Sequence, residues 1–95
     1  MLAWPHQSDR DRRKNMFYAY VIKSVDFDNY YKGHCEVLEK RLKQHHSGMT
    51  ASIKKYIPFE LIYFEEFETR QEAVAREKYF KSATGRRYLK KQLAS

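Results

Sequence analysis

Residues 17–23, FYAYVIK, put aromatic or branched apolar side chains on both alternating faces of an extended chain. A strand formed here has to be covered on both sides, so its sheet carries helices or a second layer on each face. Asp26-Phe27-Asp28-Asn29 supplies turn chemistry and Tyr30-Tyr31-Lys32-Gly33 returns as a second strand, which together predict a β-hairpin. Residues 36–46 have helical periodicity, with Leu38 and Leu42 on one face, and Ser47-Gly48 ends the segment. The polar, basic stretch 49–57 is expected to be irregular. Pro58 precedes FELIYFEEF, a third strand rich in aromatic and apolar residues.

Thr69 and Glu72 have the spacing of a capping box and open a helix running to about Lys81. Thr84-Gly85 then punctuates the chain before a final basic helix through about Leu93. The order β-β-α-β-α-α predicts an α/β domain of the α+β type, with a three-stranded, mainly antiparallel sheet flanked by helices. Its length of 95 residues suits one domain with a modest core, which 8 Tyr and 6 Phe supply with bulky side chains. Residues 1–15 hold Pro5, a charged run and no sustained periodicity, so they are expected to form a disordered extension, with the domain over 16–95.

Charge is segregated along the chain. The net charge is +7, and residues 76–91 hold Arg76, Lys78, Lys81, Arg86, Arg87, Lys90 and Lys91 against the single carboxylate Glu77. That pattern favours a polyanion such as nucleic acid, although a solvated helical face would look the same from charge alone. Lys54, Lys55, Arg86, Arg87, Lys90 and Lys91 are the expected phosphate contacts. One cysteine, Cys35, excludes an intrachain disulfide and fits a reducing, cytoplasmic setting. No apolar run approaches the roughly 20 residues of a membrane-spanning helix, so no membrane partner is expected.

Glu77 is the most informative single residue, because at about 100° per residue it falls between Ala73 and Phe80 on the apolar stripe of its helix. It is either half of a structural ion pair or a hard oxygen ligand for Mg²⁺ or Mn²⁺. Arg41 and His45, four residues apart, neighbour each other at the rim of the Leu38/Leu42 stripe, where both can point into one cleft. Guanidinium suits the charge of a phosphoryl transition state because it is planar and binds two oxygens at once. Tyr18, Tyr20, Tyr30 and Tyr31 on the hairpin are ordinary packing residues unless a neighbouring cation or metal recruits a phenol. His34-Cys35 with His45-His46 makes a poor zinc set, having one thiol and unspecific spacing.

Taken in order, these residues resemble the GIY-YIG nuclease superfamily, and especially its short stand-alone YhbQ-like, UPF0213-type members. Ala19-Tyr20-Val21 stands for the first signature and Tyr31-Lys32-Gly33 for the second, with the two tyrosines eleven residues apart. Arg41 follows Tyr31 by ten residues, Arg41-Leu42-Lys43-Gln44-His45 is similar to an R-L-x-x-H run, and Glu72 to Glu77 matches E-A-x-x-x-E. Ala19 replaces a glycine, Lys32 an apolar residue and His46 a common asparagine. Lys32 should point away from Tyr31, off the active face.

The resemblance implies a metal-dependent endonuclease hydrolysing phosphodiester bonds, in DNA repair or processing. Tyr20 and Tyr31 would position or deprotonate the attacking water, and Arg41 would stabilise the transition state. His45 would assist proton transfer or contact phosphate, His34 would share the proton transfer, and Glu77 would hold the metal. The implied substrate is nucleic acid, DNA before RNA, with a protein partner as one source of specificity. The alternative is a nucleic-acid-binding module of the same fold with weak or no cleavage.

Overall fold

A computed structural model describes residues 16–48 and 51–94; the expected extension at 1–15 lies outside the described residues. Three strands, β1 (Phe17–Ser24), β2 (Tyr30–Cys35) and β3 (Phe59–Phe67), form one antiparallel sheet in the order β2-β1-β3. The doubly apolar stretch is therefore the central strand, as its composition requires. Helix α1 (Leu38–His46) and a 3₁₀ turn over Ala51–Tyr56 follow β2, while α2 (Arg70–Lys81) and α3 (Ala83–Leu93) follow β3.

The alternation of β1 divides the core in two. Tyr18, Tyr20 and Ile22 pack with Leu38, Ile53, Phe59 and Leu61 on the face carrying α1. Ala19 and Val21 pack with Phe80 and Leu89 on the face carrying α2 and α3. Burying one such large side chain contributes about 1.5–3 kcal/mol, so the two layers hold the sheet from both sides. Arg76 fixes how α2 lies on β3. It donates to both oxygens of Glu65, at 2.8 and 3.2 Å, and Tyr63 and Tyr88 donate to the same carboxylate.

Local structure differs from the sequence reading at three places. Strand β2 continues to Cys35 and α1 begins only at Leu38, because Val37 is extended (φ −124°, ψ 104°) and caps the helix through its carbonyl, which accepts from Arg41 N at 3.0 Å. Within the stretch expected to be irregular, residues 51–56 wind into the 3₁₀ turn and bury Ile53 against the α1 face. Gly85 lies inside the first turn of α3. Ser82 ends α2 and caps α3, its hydroxyl accepting from Gly85 N at 3.0 Å. A Cβ at Gly85 would collide with the Tyr79 carbonyl, so glycine serves close helix approach there. The capping box on α2 is formed, with Thr69 and Glu72 bonding reciprocally at 3.2 Å.

Candidate active site

The residues singled out by sequence gather at the edge strand β2, but on two sides of the sheet. Tyr20 and His45 meet on the α1 face, where Tyr20 Oη lies 2.9 Å from His45 Nε2 and both residues are about 1% exposed. Tyr31, half-buried, sets its ring edge-on to the His45 imidazole with centroids 4.9 Å apart. Arg41 lines the same pocket as Tyr20 and His45, and its Nη1 reaches the His34 carbonyl at 3.5 Å. His45 is thus not a rim residue. It shares its helix face with Leu38, seven residues earlier, and its polarity is satisfied across the core by a phenol.

Burial sets the protonation of this group. It raises the Tyr20 pKa, with the nearby Cys35 and Tyr31 adding to the effect and Arg41 opposing it. It lowers the His45 pKa to about 4, helped by the positive charges of Arg41 and His46. At neutral pH the pair is a protonated phenol and a neutral imidazole, which suits it to hold geometry rather than to abstract protons.

The second half lies on the opposite face. His34 alternates with Gly33 and points toward α2, donating from Nδ1 to Glu77 Oε1 at 2.6 Å. Lys81, one turn after Glu77, donates to Oε2 at 2.7 Å. Burial alone would raise the Glu77 pKa, but hydrogen bonds from Lys81 and His34 outweigh it and keep the carboxyl below its usual range. The Glu77 side chain is 18% exposed and that of His34 33%, so this half of the site is open to a ligand from solvent. The two halves meet at His34, whose carbonyl faces Arg41 and whose ring faces Glu77.

Among the described residues no three His, Cys, Asp or Glu side chains come together as a metal-binding group. Glu77 offers one hard carboxylate, which fits a Mg²⁺ or Mn²⁺ ion that takes a single protein ligand and completes its shell with water and substrate phosphate. Both oxygens are engaged by cationic or N–H donors, and the Lys81 side chain, 55% exposed, is the one able to yield.

The expected phosphate contacts do not form one surface. Lys54 and Lys55 are exposed on the 3₁₀ turn, beside α1, whereas Arg86, Arg87, Lys90 and Lys91 are exposed on α3 across the sheet. Arg86 and Lys90 line a groove with Lys32, and Arg87 bonds Thr84 on its own helix. Lys32 does point away from Tyr31, but onto the face that holds His34 and Glu77 rather than off the site. Sequence reasoning missed Lys81 and Gly33 as well. The i,i+4 spacing of Glu77 and Lys81 was a readable signal. Gly33 pairs with Tyr20, and a Cβ on it would lie 2.6 Å from the Tyr20 hydroxyl.

Comparison with known proteins gives the family of the chain. A model of the GIY-YIG catalytic domain matches residues 16–91. The chain is 42% identical over 70 residues to a UPF0213 protein of Clostridium perfringens, covering 73% of this chain and 74% of that one. It is 41% identical over 71 residues to the UPF0213 protein YazA of Bacillus subtilis, covering 74% and 71%. A solution NMR structure of a UPF0213 protein from Bacillus halodurans aligns with a TM-score of 0.49 at 28% identity, over 81% of this chain and 84% of that one. No helix among the described residues is long and apolar enough to cross a membrane.

Proposed function

Because the chain belongs to the GIY-YIG family, whose catalytic domain is of nuclease type, we propose that it is a metal-dependent endonuclease cleaving nucleic-acid phosphodiester bonds. One observation supports the reading: Arg41 and Glu77, from two different helices on opposite faces of the sheet, both reach His34 on the edge strand, one at its carbonyl and the other at its ring. Glu77 would hold the divalent ion, which when bound neutralises phosphate charge and lowers the pKa of a water.

Arg41 stands where its guanidinium meets the equatorial oxygens of the phosphate under attack. His34 is held at Nδ1 by Glu77, so in the neutral ring the lone pair sits on Nε2, able to take a proton from the attacking water. Tyr31, half-buried at the rim, orients that water. Tyr20 and His45 are positioning residues, since they are closed off from substrate and brace the Tyr31 ring from beneath.

The engagement of both Glu77 oxygens, one by the His34 ring and one by the Lys81 ammonium, favours a second reading, a nucleic-acid-binding module that does not cleave. Incubating the protein with duplex, single-stranded, flapped and branched DNA and RNA in Mg²⁺ or Mn²⁺, with and without chelator, separates the two. Chelator-sensitive cleavage is expected. Binding without cleavage on every substrate would leave the module.

A further inference from the structure

Between the β2 edge and α3 lies a groove of about 480 Å³, within the usual range of ligand sites. Its walls carry Lys32, Arg86 and Lys90 against one carboxylate, Asp28. Leu93, 39% exposed, and Ala94 form an apolar edge to the groove, above the buried Val21 and Leu89. Tyr30 stands at the mouth, 48% exposed, with Lys23 Nζ 5.9 Å from its ring centroid. Burial lowers the Lys32 pKa, and so do the positive charges of Arg86 and Lys81. Like charges are crowded where water is partly excluded, an arrangement that an incoming anion relieves.

The groove also continues into the site described above. Lys32 and His34 are two residues apart on one side of β2, about 7 Å along the strand. Lys81, which acts on Lys32, bonds Glu77. A polyanion seated on Lys32 therefore lies on the same side of β2 as the Lys81–Glu77 pair.

We propose that this groove takes an unpaired nucleotide of the substrate strand, its phosphate on Lys32, Arg86 and Lys90 and its base against the exposed Tyr30 and Leu93. The inference rests on the nucleic-acid reading and narrows it to single-stranded stretches, such as overhangs and flaps. An exposed apolar edge beside a cationic wall matches a base beside its phosphate, and an exposed aromatic ring accepts any base by stacking. A base within an intact duplex reaches such a groove only after leaving its stack, which costs a few kcal/mol.

The test is fluorescence anisotropy of the full chain, in EDTA, with a labelled oligothymidylate and a blunt duplex of equal length over a salt series. The single strand should bind more tightly. Lys32→Ile and the double variant Arg86→Gln/Lys90→Gln should each weaken it about tenfold or more and make the salt dependence shallower by about 0.7 for each phosphate no longer neutralised. Lys32→Gln guards against an effect of the new apolar side chain, and thermal midpoints verify that each variant is folded. Tyr30→Leu should weaken binding severalfold at an unchanged salt slope, because stacking releases no counterions.

Single-strand affinity and slope untouched by the Lys32 and Arg86/Lys90 changes would overturn the proposal. Duplex binding as tight as single-strand binding, or no binding of either, would overturn it too. Cleavage in Mg²⁺ or Mn²⁺ is scored separately. Cleavage with unresponsive groove variants removes the groove and keeps the nuclease, whereas responsive variants without cleavage do the reverse.

Discussion

Acid should weaken this fold at His45 before it touches the carboxylates. In the unfolded chain the imidazole takes up its proton near pH 6.5, whereas in the folded protein burial beside Arg41 and His46 delays this to about 4. Between those values the unfolded state binds more protons, so stability falls as pH falls. The contribution is fully present above about pH 6.5 and is lost progressively down to about 4. At about 1.4 kcal/mol per pH unit, lowering the pH from 6.5 to 5 removes roughly 2 kcal/mol, a large part of the 5–15 kcal/mol typical of a small domain. Glu65 and Glu77, held below the usual carboxylate range by hydrogen-bonded cations despite their burial, lose their contributions only at lower pH.

Urea unfolding at pH 7, 6, 5.5 and 5 measures the effect, and His45→Gln isolates it. The amide keeps a polar partner for the Tyr20 hydroxyl but does not titrate. The variant should start from lower stability and show a much flatter pH dependence. Ring resonances of the histidines, followed by NMR, should show His45 neutral well below pH 6. Parallel pH profiles for the two proteins, or a His45 that titrates near 6.5, would refute the argument that burial controls this residue.

Three substitutions probe the rest of the site. Glu77→Gln should abolish metal-dependent cleavage while costing within about 1 kcal/mol, because the Lys81 partner is exposed and surface ion pairs are worth little; a folded variant that still cleaves would remove Glu77 as the metal ligand. Arg41→Lys should lower the cleavage rate by about a hundredfold or more with substrate affinity nearly kept, since an ammonium cannot make a planar two-pronged contact; unchanged rates would reduce Arg41 to a simple counter-charge. Gly33→Ala should destabilise by about 1–3 kcal/mol, because its Cβ meets the rigid Tyr20 ring at 2.6–3.1 Å, and it should broaden or shift the His45 resonances as Tyr20 moves; wild-type stability would show that the ring slides aside freely.

Properties set by local pattern were legible in the sequence, and those set by contacts across the sheet were not. Apolar residues on both alternations of 17–23 predict a doubly covered central strand, and Thr69 with Glu72 marks the start of α2. Glu77 stands out because a carboxylate is anomalous on an apolar stripe. His45 carries no such mark. A hydropathy reading of α1 sends a histidine outward, and its burial depends on a phenol 25 residues earlier. Thr84-Gly85 has the composition of a break, yet glycine there answers the close approach of two helices, which local sequence does not encode. Alternation places Lys32 correctly, opposite to Tyr31, but the family signature alone does not reveal that the candidate site wraps around a strand and so includes that side too.

That wrapping makes the register of β2 the controlling variable of the whole site. Tyr31 must face α1 to meet His45, and His34 must face α2 to meet Glu77, so a slip of one residue would send both to the wrong side. Edge strands are the least constrained in a sheet, being paired along one side only. Gly33 supplies the missing constraint, because Tyr20 lays its ring over the backbone at this position in the observed pairing. After a slip of one residue in either direction, Lys32 or His34 would stand opposite Tyr20 with a side chain on one face or the other. A slip of two would bring Tyr31 or Cys35 under the ring, where only a glycine fits. The second signature thus works as a unit: its glycine fixes the pairing that turns its tyrosine toward His45 and the following histidine toward Glu77.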